Sequence, residues 1–144
     1  IISGMPVLKV YAAMQRALMG SGELRFQFNG ESGGQYFWRD AVLGPGYTAF
    51  IGISGNYGRI LPARAGIEHT LGDCVIHALG NAGNHSWVSR TANVFSGAIT
   101  SQAMEIVLGG GYYDGLIRVS GLTFWSASGL YASGSVIKVF GVPL

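Results

Sequence analysis

The chain has 144 residues, of which 49% are hydrophobic and only 11% charged, and its formal net charge is +2. That length supports one domain with a core needing neither disulfide nor metal, and a single cysteine, Cys74, excludes an internal disulfide framework. Lys and Arg are scattered singly, against the clustering that nucleic-acid binding favours, and Gly or a polar residue interrupts every apolar run before the ~20 residues of a membrane span.

The 24 glycines follow no triplet period and sit between short apolar runs, as turn residues do. Charge is less than half the roughly 25% of an average soluble domain, which points to a surface largely met by other protein. The first residues, Ile1-Ile2-Ser3-Gly4, lack an initiator Met, as a processed chain or one given without its true start would, and no signal-peptide pattern follows.

In chain order, residues 6–18 (PVLKVYAAMQRAL) mix helix formers with an alternation of Leu8, Val10, Ala12 and Met14, and read as a strand. Residues 20–22 turn into 24–40 (LRFQFNGESGGQYFWRD). There Leu24, Phe26 and Phe28 alternate with Arg25, Gln27 and Asn29, residues 29–34 tolerate positive φ, and an aromatic run follows. This reads as a β-hairpin. Residues 43–46 form a loop, 47–54 a strand, 55–58 a turn and 59–65 a connection containing Pro62. Two strands, 66–70 and 74–79, are split by Leu71-Gly72-Asp73, and 80–84 turn. Residues 85–95 alternate as a strand. Residues 98–108 suit a short helix or a strand, stopped by Gly109-Gly110-Gly111. Residues 116–125 form a strand, 126–129 a turn and 135–142 the closing strand. Turns every eight to twelve residues mark one all-β domain, an antiparallel sandwich or barrel.

Gly30-Glu31-Ser32-Gly33-Gly34 spells Gly-x-Ser-x-Gly, but the hydrolase elbow needs a helix after the Ser, and here an aromatic strand-like run follows. A chymotrypsin-like reading fails on order, since His69, His77 and His85 all come after Ser32. The histidine spacings match no common zinc motif, and the seven dispersed carboxylates form no recognisable glycosidase pair. Gly109-Gly110-Gly111 lacks the Lys of a phosphate loop. Nothing here calls for a cofactor or metal. Aromatics are the remaining recognition candidates: Tyr112 and Tyr113 beside Asp114 in a glycine-flanked loop, and Trp125 and Tyr131 around another turn. Exposed rings of this kind stack on sugar faces, while core or subunit packing is the competing role.

Two stretches resemble one family. Residues 24–36 (LRFQFNGESGGQY) look like the Phe-Asn-Gly-Asp-(Ser/Thr)-Gly-x-x-Tyr segment of small phage virion proteins. Residues 130–142 (LYASGSVIKVFGV) resemble the Gly-Ser-containing ending of phage tail-fibre and other virion surface domains. Glu31 stands for the usual Asp, and Val139-Phe140 for Leu-Tyr before Gly141. The resemblance implies a β-sandwich of jelly-roll type, carried on a virion as capsid decoration or tail-fibre component, commonly a homotrimer. Its partners would be copies of itself and other virion proteins, and it implies no catalytic residue. A receptor-binding module that holds host surface glycans through Tyr112, Tyr113, Asp114, Trp125 and Tyr131 is the alternative.

Overall fold

The computed structural model describes residues 7–15, 23–33, 35–43, 48–51, 55–61, 67–78, 85–95, 104–126 and 131–142. They form ten strands: β1 (Val7–Gln15), β2 (Leu24–Phe28), β3 (Tyr36–Leu43), β4 (Thr48–Ile51), β5 (Gly58–Leu61), β6 (Ile67–His77), β7 (His85–Phe95), β8 (Met104–Tyr113), β9 (Leu122–Ser126) and β10 (Val136–Val142). Seven make one antiparallel sheet in the order β10-β1-β6-β7-β8-β3-β4, and three make a second in the order β5-β2-β9. The expected β-sandwich is therefore present. The strand order does not establish a jelly roll.

Period-2 alternation decides what lies between the sheets. In β1, Leu8, Val10, Ala12 and Met14 are buried while Lys9, Tyr11, Ala13 and Gln15 point outward. The small sheet answers with Leu24, Phe26 and Phe28, all fully buried. The Phe26 ring meets the edge of Trp87 at 5.1 Å, and Phe28 stacks on Tyr36 at 5.9 Å.

Residues 24–40 are not a hairpin. β2 pairs with β5 and β9, whereas β3 pairs with β4 and β8. The segment between them carries the chain from one sheet to the other, so Phe28 and Tyr36 face each other across the core, which paired neighbours in one sheet could not do. Asn29 and Gly30 take left-handed backbone (φ 51° and 77°) to start the crossing. The Asn29 carboxamide oxygen accepts from the backbone N–H groups of Ser120 and Gly121, and its nitrogen donates to the Arg118 carbonyl. The Phe28 N–H donates to the Tyr36 hydroxyl at 2.8 Å, which pins the far side of the crossing.

Other expectations also change. Residues 67–77 are one continuous strand, because Gly72 lets β5 lie close: a Cβ there would sit 2.5 Å from Leu61 Cδ2. Gly58–Leu61 is a strand and not a connection. Gly109-Gly110-Gly111 lies inside β8 and does not end it, so Tyr112 and Tyr113 are strand residues and not loop residues. Residues 114–121 form no strand, and β9 begins only at Leu122; Asn29 holds this segment in place of a ladder. Ser126 of the turn expected at 126–129 belongs to β9 and Leu43 of the loop expected at 43–46 to β3; the rest of both, the turns expected at 20–22 and 80–84, and residues 62–65 and 98–103 lie outside the described residues.

Candidate functional site

The small sheet covers only one face of the large one. On the other, register places residues in rows across the strands. One row reads Val136, Ala13, Leu71, Ala92, Ile106 and Leu43, from β10 to β3. The next reads Lys138, Tyr11, Asp73, Arg90, Leu108 and Ala41, and a third reads Phe140, Lys9, Val75, Val88, Gly110 and Arg39. The first row is wholly apolar. Large and small side chains alternate along most of it, leaving a trough of about 710 Å³ lined by Ala13, Leu71, Ala92, Ile106 and their neighbours.

Leu71 is 62% exposed and Val88 59%, values foreign to a closed core. Tyr11, Leu43, Val94, Ile106, Leu108, Tyr112, Val136 and Phe140 are also exposed on this face. Taking about 200 Å² for a fully exposed large side chain, their fractional exposures amount to roughly 900 Å² of surface. The largest apolar patch on a typical monomer is about 300–600 Å².

Charges interrupt the apolar field: Lys9, Lys138 and Arg39 toward its edges, and an ion pair near its middle. The Arg90 guanidinium grips Asp73 with both ends of its fork, Nε to Oδ1 at 3.0 Å and an Nη to Oδ2 at 2.7 Å. Donating these hydrogen bonds to Asp73 raises the Arg90 pKa above its ordinary value. This bidentate pair crosses β6 to β7 near the middle of the sheet.

The expected recognition residues do not converge. Tyr112 is exposed on the outer face, stacked on Phe37 at 4.8 Å. Tyr113 points the opposite way, as neighbouring strand residues must; it is 2% exposed and packs on Tyr36 at 4.6 Å. Tyr113 is thus a core residue, and burial pushes its hydroxyl pKa up. Asp114 is exposed just after β8. Trp125 is half-buried in β9 of the other sheet, edge-on to Tyr57 at 6.2 Å. Tyr131 is half-buried before β10 and packs against the core.

Ser32 is exposed in the inter-sheet crossing. His69 and His77 are exposed on β6, while His85 is fully buried, its Nε2 donating to the Ile117 carbonyl at 2.7 Å. Among the described residues no three of His, Cys, Asp and Glu gather as a metal site requires. Cys74 is buried between the sheets, and desolvation drives its thiol pKa well up.

Sequence reasoning missed one charged group of residues. Arg59 of β5 pairs with Asp40 of β3 and, at 3.2 Å, with Glu23, while its guanidinium lies 3.6 Å over the Trp38 ring. Glu23 also takes Arg25 at 2.6 Å. All these side chains except Arg25 are nearly buried. Arg59 acts as a strap from the edge of the small sheet to the large one. Scattered charges in a charge-poor chain were the available signal, but nothing in their spacing brings positions 23, 40 and 59 together.

No family model matches this chain, and neither a curated protein nor a solved structure is significantly similar to it.

Proposed function

We propose that this chain is a non-enzymatic structural protein of a bacteriophage particle, displayed on the virion surface as capsid decoration or tail-fibre component and assembling through symmetric subunit contacts. The observation that carries the assembly part is the outer face of the large sheet. Roughly 900 Å² of exposed apolar side chains is what a standard interface buries on each partner, about 800 Å². The phage setting rests on the resemblance of residues 24–36 and 130–142, and the two-sheet sandwich agrees with it. That resemblance also carries the homotrimer and the jelly-roll class.

Immunogold labelling of intact particles tests the reading. Regular labelling over the head marks decoration, labelling at a vertex or tip marks the tail, and purified particles free of the protein refute a virion role. A second reading, a receptor-binding module for host glycans, is favoured by the Tyr112–Phe37 stack, a flat aromatic platform on the surface. Host-polysaccharide binding that disappears in Tyr112→Ala would select it over the first.

A further inference from the structure

We infer that the outer face of the large sheet binds a second copy of itself about a two-fold axis parallel to the strands, running between β6 and β7. This rests on the assembly part of the reading above and names the partner surface. The argument is register. A two-fold along the strands reverses strand order and keeps position along each strand, so β6 faces the partner's β7 and β1 faces the partner's β8. Each cross-strand row then lies against its own reversed copy.

Applied to the apolar row, the operation sets Leu71 over the partner's Ala92 and Ala13 under the partner's Ile106. At these four central positions each large side chain meets a small one, the alternation by which facing layers interdigitate, while at the ends of the row Val136 meets the partner's Leu43, both large. The trough beside Ala92 becomes the seat of the partner's Leu71. In the next row Asp73 faces the partner's Arg90, and Arg90 faces the partner's Asp73. The central charges, Asp73 and Arg90, are therefore neutralised twice over, within each chain and across the axis.

A two-fold running across the strands and centred on this pair would instead set Asp73 on the partner's Asp73 and Arg90 on the partner's Arg90, like charge on like. The ion pair thus selects the axis direction. Twist sets packed sheets at about 30° to one another, so the match is closest near β6 and β7, where Leu71 and Val88 are the most exposed apolar residues on the face. The area meets the requirement of a stable dimer. One partner occupies the whole face, so a three-fold assembly built through other surfaces would occur as six copies.

Charge reversal tests this on the full chain. By light scattering, the wild type runs at an even multiple of 15.2 kDa. Asp73→Arg alone and Arg90→Asp alone each place like charges across the axis, and each falls to half the wild-type mass. Mixed in equal amounts they restore it, because every guanidinium of one variant's pair then faces a carboxylate of the other's. A wild-type monomer refutes the assembly reading itself. A wild-type oligomer whose mass ignores both reversals, or whose variants stay apart when mixed, refutes this face and leaves assembly standing. If either reversal fails to give the wild-type circular dichroism spectrum, Leu71→Cys and Ala92→Cys proteins carry the test. A short bis-maleimide joins them into a covalent heterodimer if the axis is correct, and leaves them unlinked if it is not.

Discussion

Gly111→Ala is the most direct probe of why glycines fill the middle of β8. Gly111 pairs with Trp38 on one side and Trp87 on the other, and its missing side chain points into the core. A Cβ there would overlap the Phe37 carbonyl oxygen and lie 2.5 Å and 2.8 Å from the Trp87 ring atoms Cζ2 and Cη2. Ordinary carbon contacts are about 3.5–4.0 Å, so the indole must retreat by about 1 Å. It cannot do so freely, because Phe26 stands at 5.1 Å and Tyr36 at 6.3 Å. Overpacking of this kind costs about 1–3 kcal/mol, and loosening the ladder beside Phe37 adds about 1 kcal/mol. The stiffer unfolded chain returns about 0.4–1 kcal/mol. The net loss is about 1–4 kcal/mol, or roughly 3–12 °C in Tm for a chain of this size. Thermal unfolding by circular dichroism measures it, with Gly121→Ala as the control: nothing lies within 4 Å of a Cβ at that position. Gly111→Ala melting together with Gly121→Ala and the wild type would refute the claim that these glycines serve close packing.

Arg59→Ala strands Asp40, whose side chain is 6% exposed, leaves Glu23 to Arg25 alone, and should cost about 3–5 kcal/mol in urea unfolding; a loss below about 1 kcal/mol would mean solvent already screens the strap. Tyr36→Phe leaves the buried Phe28 N–H without its acceptor and should cost about 1–3 kcal/mol, while its circular dichroism spectrum stays that of the wild type. Burial raises the pKa of both Tyr36 and Cys74 above their ordinary values of 10.0 and 9.0. The unfolded chain therefore releases these protons first as pH rises. Their contribution is complete below about pH 9 and declines above it. Urea midpoints should fall between about pH 9 and 11, less steeply in Cys74→Ala, and a flat profile would contradict the burial of both groups.

Alternation made much of the sandwich legible. Leu8, Val10, Ala12 and Met14, and Leu24, Phe26 and Phe28, all turn inward as their period predicts. The partner of each strand was not legible, because a turn that reverses the chain reads the same whether the next strand joins the same sheet or the opposite one. Asn29 and Gly30 supply left-handed backbone in either case, and only the Tyr36 hydroxyl and the Asn29 carboxamide, acting on Phe28 and on residues 118–121, identify a crossing. Glycine misled for a related reason. At Gly72 and Gly109–Gly111 it answers crowding by Leu61, Asp40 and Trp87, residues far away in the chain, so its neighbours could not distinguish a turn from a tight strand. Tyr112 and Tyr113 followed that error: placed in a loop they look like a pair, and placed in β8 they face opposite ways.

The same alternation carries a second message in β6, β7 and β8. A sheet with one face in water shows polar residues at every other position. Here the outward positions hold Leu71, Val75, Val88, Val94, Ile106 and Leu108 beside His69, Asp73, His77, Ser86 and Arg90, and the inward ones hold Thr70, His85, Ser89, Thr91 and Asn93 beside Cys74, Ile76, Trp87 and Val107. Between its polar positions the side of β6 and β7 facing away from the small sheet thus carries large apolar side chains that a face in water would not. Residues this apolar on an uncovered face invite aggregation unless something fixes how they are covered. In the proposed two-fold pair Asp73 and Arg90 fill that role: one ion pair, set near the middle of the face across two strands, opposes like charges when the axis runs across the strands and opposite charges when it runs along them. On that proposal the low charge of the whole chain and the bidentate pair on this face share one explanation, a surface that meets its own copy in one register.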